Sequence, residues 1–94
     1  MRRRSKIDDN QPEIVEALRA VGCDVLSLAA VGKGCPDLLV ACRGVLYLLE
    51  VKDGSKSPSR RRLTPDQVDF HATWRGEIHV VNDIDEAYEA VGLL

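Results

Sequence analysis

Residues 36–52 read Pro-Asp-Leu-Leu-Val-Ala-Cys-Arg-Gly-Val-Leu-Tyr-Leu-Leu-Glu-Val-Lys. Two apolar runs, residues 38–42 and 45–52, flank Arg43 and Gly44, a spacing that predicts a tight antiparallel hairpin. The second run is apolar at Leu46, Tyr47, Leu48, Leu49 and Val51, on both of its faces, which predicts a strand in the middle of a covered sheet. Its end breaks the pattern. Glu50 and Lys52 project from one face, about 6.6–6.8 Å apart along the strand, while Val51 points the other way. Asp37 opens the preceding strand, so the hairpin sets it opposite Glu50 or Lys52.

The remaining elements arrange themselves around this hairpin. A first helix starts near Asn10, a fitting N-cap residue, with Pro12 in its first turn and Glu13 where a capping-box acid would stand. Ile14, Leu18 and Val21 recur at helical spacing with Ala17 beside them, and Gly22 ends the run. Residues 25–31 read as a first strand, followed by the turn Gly32-Lys33-Gly34. After Lys52, a basic loop covers residues 53–64. Thr64, Pro65 and Gln67 then open a second helix, with Val68, Ala72 and Trp74 expected toward the core and Gly76 stopping it. Residues 77–82 read as a fourth strand. Asp83 or Asp85 caps a C-terminal helix whose apolar positions are Ala87, Val91 and Leu94. The order α-β-β-β-α-β-α predicts an antiparallel three-strand meander with a fourth strand parallel to the third. That is an α/β domain with a mixed four-stranded sheet flanked by helices.

With 94 residues the chain makes one domain, expected over residues 10–94, preceded by a basic arm at residues 1–9. No apolar run approaches the length of a membrane span. Arg2, Arg3 and Arg4 are not followed by an apolar stretch, which disfavours a signal peptide. Cys23, Cys35 and Cys42 are odd in number and lack C-x-x-C spacing, which disfavours a disulfide framework or a zinc site. They read as reduced thiols of a cytoplasmic protein. The net charge of −2 is not that of an average nucleic-acid binder, but the distribution is uneven. Arg2, Arg3, Arg4 and Lys6 gather at the start, and Lys56, Arg60, Arg61 and Arg62 in the central loop. Local basic patches of this kind bind phosphate without a basic total.

The trio Asp37, Glu50 and Lys52 suggests chemistry. Two carboxylates meeting at a strand end repel each other unless a cation sits between them. A hard divalent ion such as Mg²⁺ or Mn²⁺ takes oxygen ligands, and Asp37, Glu50 and the carbonyl of Val51 can supply three. Such an ion acidifies a water and screens charge developing at phosphorus. Lys52 adds a compact positive charge. Glu-x-Lys alone is commonly an exposed ion pair; its agreement with Asp37 and the hairpin is what favours a site. Gln67 has two readings, as the closing residue of a capping box with Thr64 or as an amide reaching Lys52. His71 and His79 read as isolated surface or satisfied histidines, and Trp74 as core or interface.

Pro36-Asp37 followed by Glu50-Val51-Lys52 resembles the PD-(D/E)XK nuclease signature. Gly32-Lys33-Gly34-Cys35-Pro36-Asp37 and Leu63-Thr64-Pro65-Asp66-Gln67 resemble motifs of its VRR-NUC (virus-type replication-repair nuclease) branch, in particular phage-type stand-alone members. The resemblance runs from about Asn10 to Val81, most of the chain. It implies a restriction-endonuclease-like α-β-β-β-α-β core and metal-dependent hydrolysis of DNA phosphodiesters. It further implies branched substrates of the Holliday-junction type, a homodimer, and no organic cofactor. It shifts Gln67 toward the functional reading. One departure stands out. Where related nucleases often carry a glutamate in the first helix, this chain has Gln11, which can accept a hydrogen bond but carries no charge. Lys33, Lys56, Arg60, Arg61 and Arg62 are the expected phosphate contacts. The competing reading is a DNA-binding module of the same fold without catalysis.

Overall fold

The structure, a computed structural model, describes residues 7–94. The expected arm residues Arg2, Arg3, Arg4 and Lys6 lie outside the described residues. The elements are α1 (Gln11–Ala20), β1 (Asp24–Ser27), β2 (Leu38–Cys42), β3 (Val45–Val51), a 3₁₀ turn (Pro58–Arg61), α2 (Pro65–Thr73), β4 (His79–Val81) and α3 (Ile84–Ala90). The sheet order is β1-β2-β3-β4. β1, β2 and β3 form the antiparallel meander, and β4 runs parallel to β3, as the sequence predicts.

Alternation of side chains gives the sheet two unlike faces. On one, Val25, Leu38, Val40, Cys42, Leu49, Val51 and Val81 pack with Ile14 and Leu18 of α1 and with Ala87 of α3 and Val91 just beyond it. This is the core. Ile14, Leu18, Leu49 and Val51 are wholly removed from water, and complete burial of such side chains stabilises the fold by roughly 1.5–3 kcal/mol each. The other face carries Leu26, Leu39, Ala41, Leu46, Leu48 and Glu50, and it is covered unevenly. Leu46 is 68% exposed and Leu26 61% exposed, whereas Glu50 is fully buried. The expectation that β3 is covered on both faces therefore holds only for its second half. α2 crosses this face at the Glu50 end and buries none of its own residues. Val68 and Trp74 stay about half exposed, and Trp74 stacks on Phe70, its ring centroid 5.4 Å away. The expected core face of α2 is a correction: that helix meets the body through polar side chains.

Several ends differ from the sequence reading for local reasons. β1 stops at Ser27, four residues early, because the chain turns there: the Ser27 Oγ accepts from the Ala29 N–H at 3.3 Å and the Val31 N–H bonds back to the Leu28 carbonyl. α1 ends at Ala20, leaving Val21 exposed as its C-cap. Asn10 stands at the N-cap but makes no capping bond. Its Nδ2 instead donates to the carbonyls of Lys52 and Asn82, at 3.0 and 3.1 Å. Glu13 likewise closes no capping box there. Leu94 is 73% exposed, so the apolar face of α3 ends at Val91.

The β2–β3 hairpin turns through Arg43 and Gly44, at φ 52° and 80°. Two positive φ values match the twist of the strands, and a non-glycine residue accepts that conformation at some cost. Arg43 offsets it by reaching across the sheet end. Its Nη2 donates to the carbonyls of Val91 and Gly92 at 3.0 and 2.8 Å, satisfying the C-terminus of α3. Arg43→Asn keeps a residue tolerant of positive φ and removes the guanidinium. Urea unfolding should show a loss of about 1 kcal/mol; an unchanged midpoint would mean that the α3 bonds contribute nothing net.

Candidate active site

The hairpin register pairs Leu38 with Leu49. One step further, Asp37 is level with Glu50, on the face away from the core. The Asp37 Oδ2 accepts from the Val51 N–H at 2.7 Å, which fixes the carboxylate at the strand end. Lys52 is held by its backbone on two sides: its N–H donates to the Val81 carbonyl at 2.9 Å and its own carbonyl accepts from Asn10. Asp37, Glu50 and Lys52 are all buried, at 5%, 0% and 7% exposure. The trio expected from the sequence is thus gathered at one end of β3. Val51 contributes its N–H to the cluster.

α2 delivers two further side chains. Thr64 and Gln67 form a reciprocal capping box. The Gln67 Oε1 accepts from the Thr64 N–H at 2.9 Å and from Lys52 Nζ at 2.7 Å, while Nε2 donates to Glu50 Oε2 at 3.2 Å. Gln67 thus closes the capping box and also touches Lys52. One turn on, His71 Nε2 lies 3.3 Å from Glu50 Oε1. Residues four apart share a helix face, so Gln67 and His71 grip the two oxygens of one carboxylate. This corrects the expectation that His71 is isolated. The available signal was the Gln67–His71 spacing on the helix that follows the site strand. His79 instead meets Glu77 at 3.3 Å.

α2 is seated by a glycine. Gly34, at φ 78°, lies against the first turn of that helix, where an added Cβ would overlap the Asp66 carbonyl. The Gly32-Lys33-Gly34 turn thereby sets the distance from α2 to the strand ends, with Lys33 exposed.

The electrostatics of the cluster are lopsided. Burial first, and then the adjoining Asp37 carboxyl, push Glu50 up to about 9, with Lys52 only partly opposing. Burial and Lys52 hold His71 below the ordinary imidazole range, so near neutral pH it meets Glu50 as an uncharged ring. Burial and the fields of Glu50 and Asp37 raise the Cys35 thiol, which stays protonated. Asp8 is also raised by burial; among the charges around it, Lys52 lowers it most and Asp37 raises it. Asp8, expected in the arm at residues 1–9, is half-buried. Among the described residues, no three of His, Cys, Asp and Glu gather closely enough to hold a metal ion by themselves. Gln11 is 4% exposed, and its Oε1 is buried with no donor.

The basic candidates lie around this centre. The loop after Lys52 is ordered by Asp53, whose Oδ1 accepts from the Ser55 N–H and Oγ, and by the 3₁₀ turn. Arg60 and Arg62 are exposed and Arg61 is half-buried. Lys56 reaches Asp9 at 3.9 Å.

A solved structure described as a VRR_NUC domain matches this chain at 32% identity with a TM-score of 0.60, over 84% of this chain and 86% of its own. The chain belongs to the VRR-NUC family. Its fold is accordingly nuclease-related and consistent with the PD-(D/E)XK superfamily. No family model and no curated protein matches the chain. In this VRR-NUC domain, no described helix is long and apolar enough to cross a membrane.

The Glu50 shift has a direct consequence in metal-free protein. A glutamate whose proton is held more tightly in the folded state leaves the fold progressively destabilised as pH rises from the ordinary value of 4.5 toward about 9. In EDTA, Glu50→Gln should therefore melt at a higher temperature than wild type at pH 8, and the gap should shrink toward pH 5. A gap independent of pH would show that the charge of Glu50 carries no such strain.

Proposed function

We propose that the protein is a metal-dependent endonuclease hydrolysing DNA phosphodiester bonds, structure-selective toward branched DNA, in the manner of a phage-type stand-alone VRR-NUC protein. The observation that carries this reading is the buried Asp37–Glu50–Lys52 cluster with Gln67 bridging its acid and its amine. A buried carboxylate pair facing one ammonium is short of positive charge. The Gln11 Oε1, at the start of α1, is likewise buried without a donor. Hard oxygen donors of this kind suit Mg²⁺ or Mn²⁺, which retain waters and need few protein ligands. Asp37, Glu50 and the carbonyl of Val51 would hold the ion. When bound, it supplies Lewis acidity and an acidified water at the phosphorus centre.

The side chains divide the remaining work. Lys52 presents its ammonium to the phosphoryl oxygens, where negative charge grows in the transition state. Gln67 keeps that ammonium from collapsing onto Glu50. His71 holds the far oxygen of Glu50. The exposed Lys33, Arg60 and Arg62, with Lys56 and Arg61, would contact phosphates at the rim. Phosphate contacts position a substrate without reading its sequence, which fits selection by DNA shape. A homodimer would cover the exposed apolar side chains Leu26, Leu46 and Val80 and match the two-fold symmetry of a junction. The setting is cytoplasmic, that of a bacterial host for a phage protein.

A second reading, a DNA-binding module without catalysis, is favoured by the uncharged Gln11 and by the absence of a three-ligand acid cluster among the described residues. Cleavage of labelled four-way junction, flap, duplex and single-stranded DNA in Mg²⁺, Mn²⁺ and EDTA separates the two. Metal-dependent cutting should fall by on the order of a hundredfold or more in Lys52→Ala. Binding without cutting under every metal would leave only the second reading. Separately, charge reversal at Arg60, Arg61 and Arg62 should weaken DNA binding and flatten its salt dependence with the melting temperature unchanged. Undiminished affinity at low salt would remove the loop from the interface.

A further inference from the structure

Two buried thiols take no part in the site, and the sheet sets them side by side. β1 and β2 pair antiparallel, with Asp24 opposite Ala41 and Val25 opposite Val40. One step back along the chain from β1, Cys23 falls opposite Cys42, the last residue of β2. Alternation puts both on the core face with Val25 and Val40, and all four belong to the buried cluster. Cys23, Cys35 and Cys42 are free thiols.

The hydrogen-bond pattern fixes the kind of pair they make. The Leu28 N–H donates to the carbonyl of Asp37, its opposite number, at 2.8 Å. Bonded and non-bonded pairs alternate along an antiparallel ladder. Leu26–Leu39 and Asp24–Ala41 are therefore bonded pairs, and Cys23–Cys42 is a non-bonded one. The Cys23 N–H accordingly turns away from β2 and donates to the Leu18 carbonyl at 3.0 Å. Opposed residues of a non-bonded pair hold their Cα atoms about 4.5 Å apart, with the side chains at their closest. That separation is one a disulfide spans. Burial, and then a hydrogen bond with the Cys42 side chain, push the Cys23 thiol up to about 11, so it stays protonated near neutral pH and reacts slowly. The pair also lies at the end of the sheet. A Cβ added at Gly22, beside Cys23, or at Gly44, in the hairpin after Cys42, would meet nothing within 4 Å. Fraying of the strand end is enough to bring a small reagent to the sulfurs.

We propose that Cys23 and Cys42 are a latent disulfide, closed by exchange with a low-molecular-weight disulfide such as oxidised glutathione. The thiolate of one cysteine attacks the S–S bond of the reagent and expels one glutathione thiolate. The second cysteine gives its proton to solvent, attacks the mixed disulfide and expels the other glutathione. Two cysteine thiols are thereby oxidised by two electrons, and one glutathione disulfide is reduced to two thiols. The bond closes a loop over residues 23–42, which carries β1, the Gly32-Lys33-Gly34 turn and Asp37. It restrains the unfolded chain far more than the folded one, whose strands already hold the two residues together. Its formation is independent of whether the chain cuts DNA.

The test is to refold wild type and Cys35→Ser from urea in a buffer of reduced and oxidised glutathione, then block remaining thiols with iodoacetamide. Both proteins should lose the mass of two hydrogens, and peptide mapping by tandem mass spectrometry should show Cys23 joined to Cys42. In wild type Cys35 should be alkylated. The oxidised protein should melt about 10 °C or more above its reduced form, and dithiothreitol should reverse the shift. Should Cys35→Ser disturb the fold, the wild-type peptide map and melting temperature still decide. Cys23 and Cys42 that both remain open to alkylation overturn the proposal. So does a link from either of them to Cys35 in place of the expected one, or a Cys23–Cys42 link that leaves the melting temperature unchanged or lower.

Discussion

A carboxylate buried at the end of β3 constrains the rest of this structure. Glu50 has no exposed surface, and a buried charge is tolerated only when it is neutralised or paired and hydrogen-bonded. The chain meets that demand from three sides. Asp37 arrives by the hairpin register, Lys52 by strand alternation, and Gln67 with His71 by a helix. The last contribution explains an otherwise odd feature: α2 buries none of its residues, yet it lies across the sheet. Its attachment is polar, through the two oxygens of Glu50 and the Lys52 ammonium, with Gly34 setting how closely it approaches. Replacing Glu50 by an apolar residue would therefore remove the reason for α2 to sit where it does.

Much of this was legible in the sequence because it depends on local rules. The Arg43–Gly44 turn and the alternation of β3 determine which residues face each other, so Asp37 falls level with Glu50 without any knowledge of the rest. Thr64, Pro65 and Gln67 mark a helix start by capping chemistry alone. His71 was not legible, because its role depends on which face α2 turns to the sheet. That face is selected by the polar grip on Glu50, while the apolar Val68 and Trp74 suggest a different one. Asn10 misled for a related reason. Its type suits an N-cap, but two carbonyls from distant strands are better partners than the N–H groups of its own helix. Asp8 lies before any periodic element, where sequence pattern carries no information about depth.

The exposed apolar half of the outer sheet face has the same origin. α2 is short, and it is drawn to the charged end of β3. Leu26, on the edge strand β1, and Leu46, at the opposite end of β3, are left without a cover from their own chain among the described residues. A longer helix packed on hydrophobic side chains would have covered them, at the expense of access to the strand ends where the charged groups meet. In a chain this small, one helix cannot serve both purposes.

The distribution of charge bears on the order of events at the proposed site. The centre carries acids in excess of Lys52, and the basic side chains of the 53–64 loop and of Lys33 stand outside it. A phosphodiester is therefore attracted to the rim and repelled at the centre as long as the acids are ionised and uncompensated. Raising the proton affinity of Glu50 is the metal-free protein's way of reducing that repulsion. A divalent ion would do so more completely, displacing the proton and reversing the local sign. In the proposed nuclease, proton, cation and phosphate would thus be coupled through one carboxylate: the ion would compete with the proton for Glu50, and DNA would approach the centre once the ion had won. Tight burial of Glu50, which costs stability when its carboxylate is ionised and uncompensated, is the same property that would make its ionisation state depend on a bound cation.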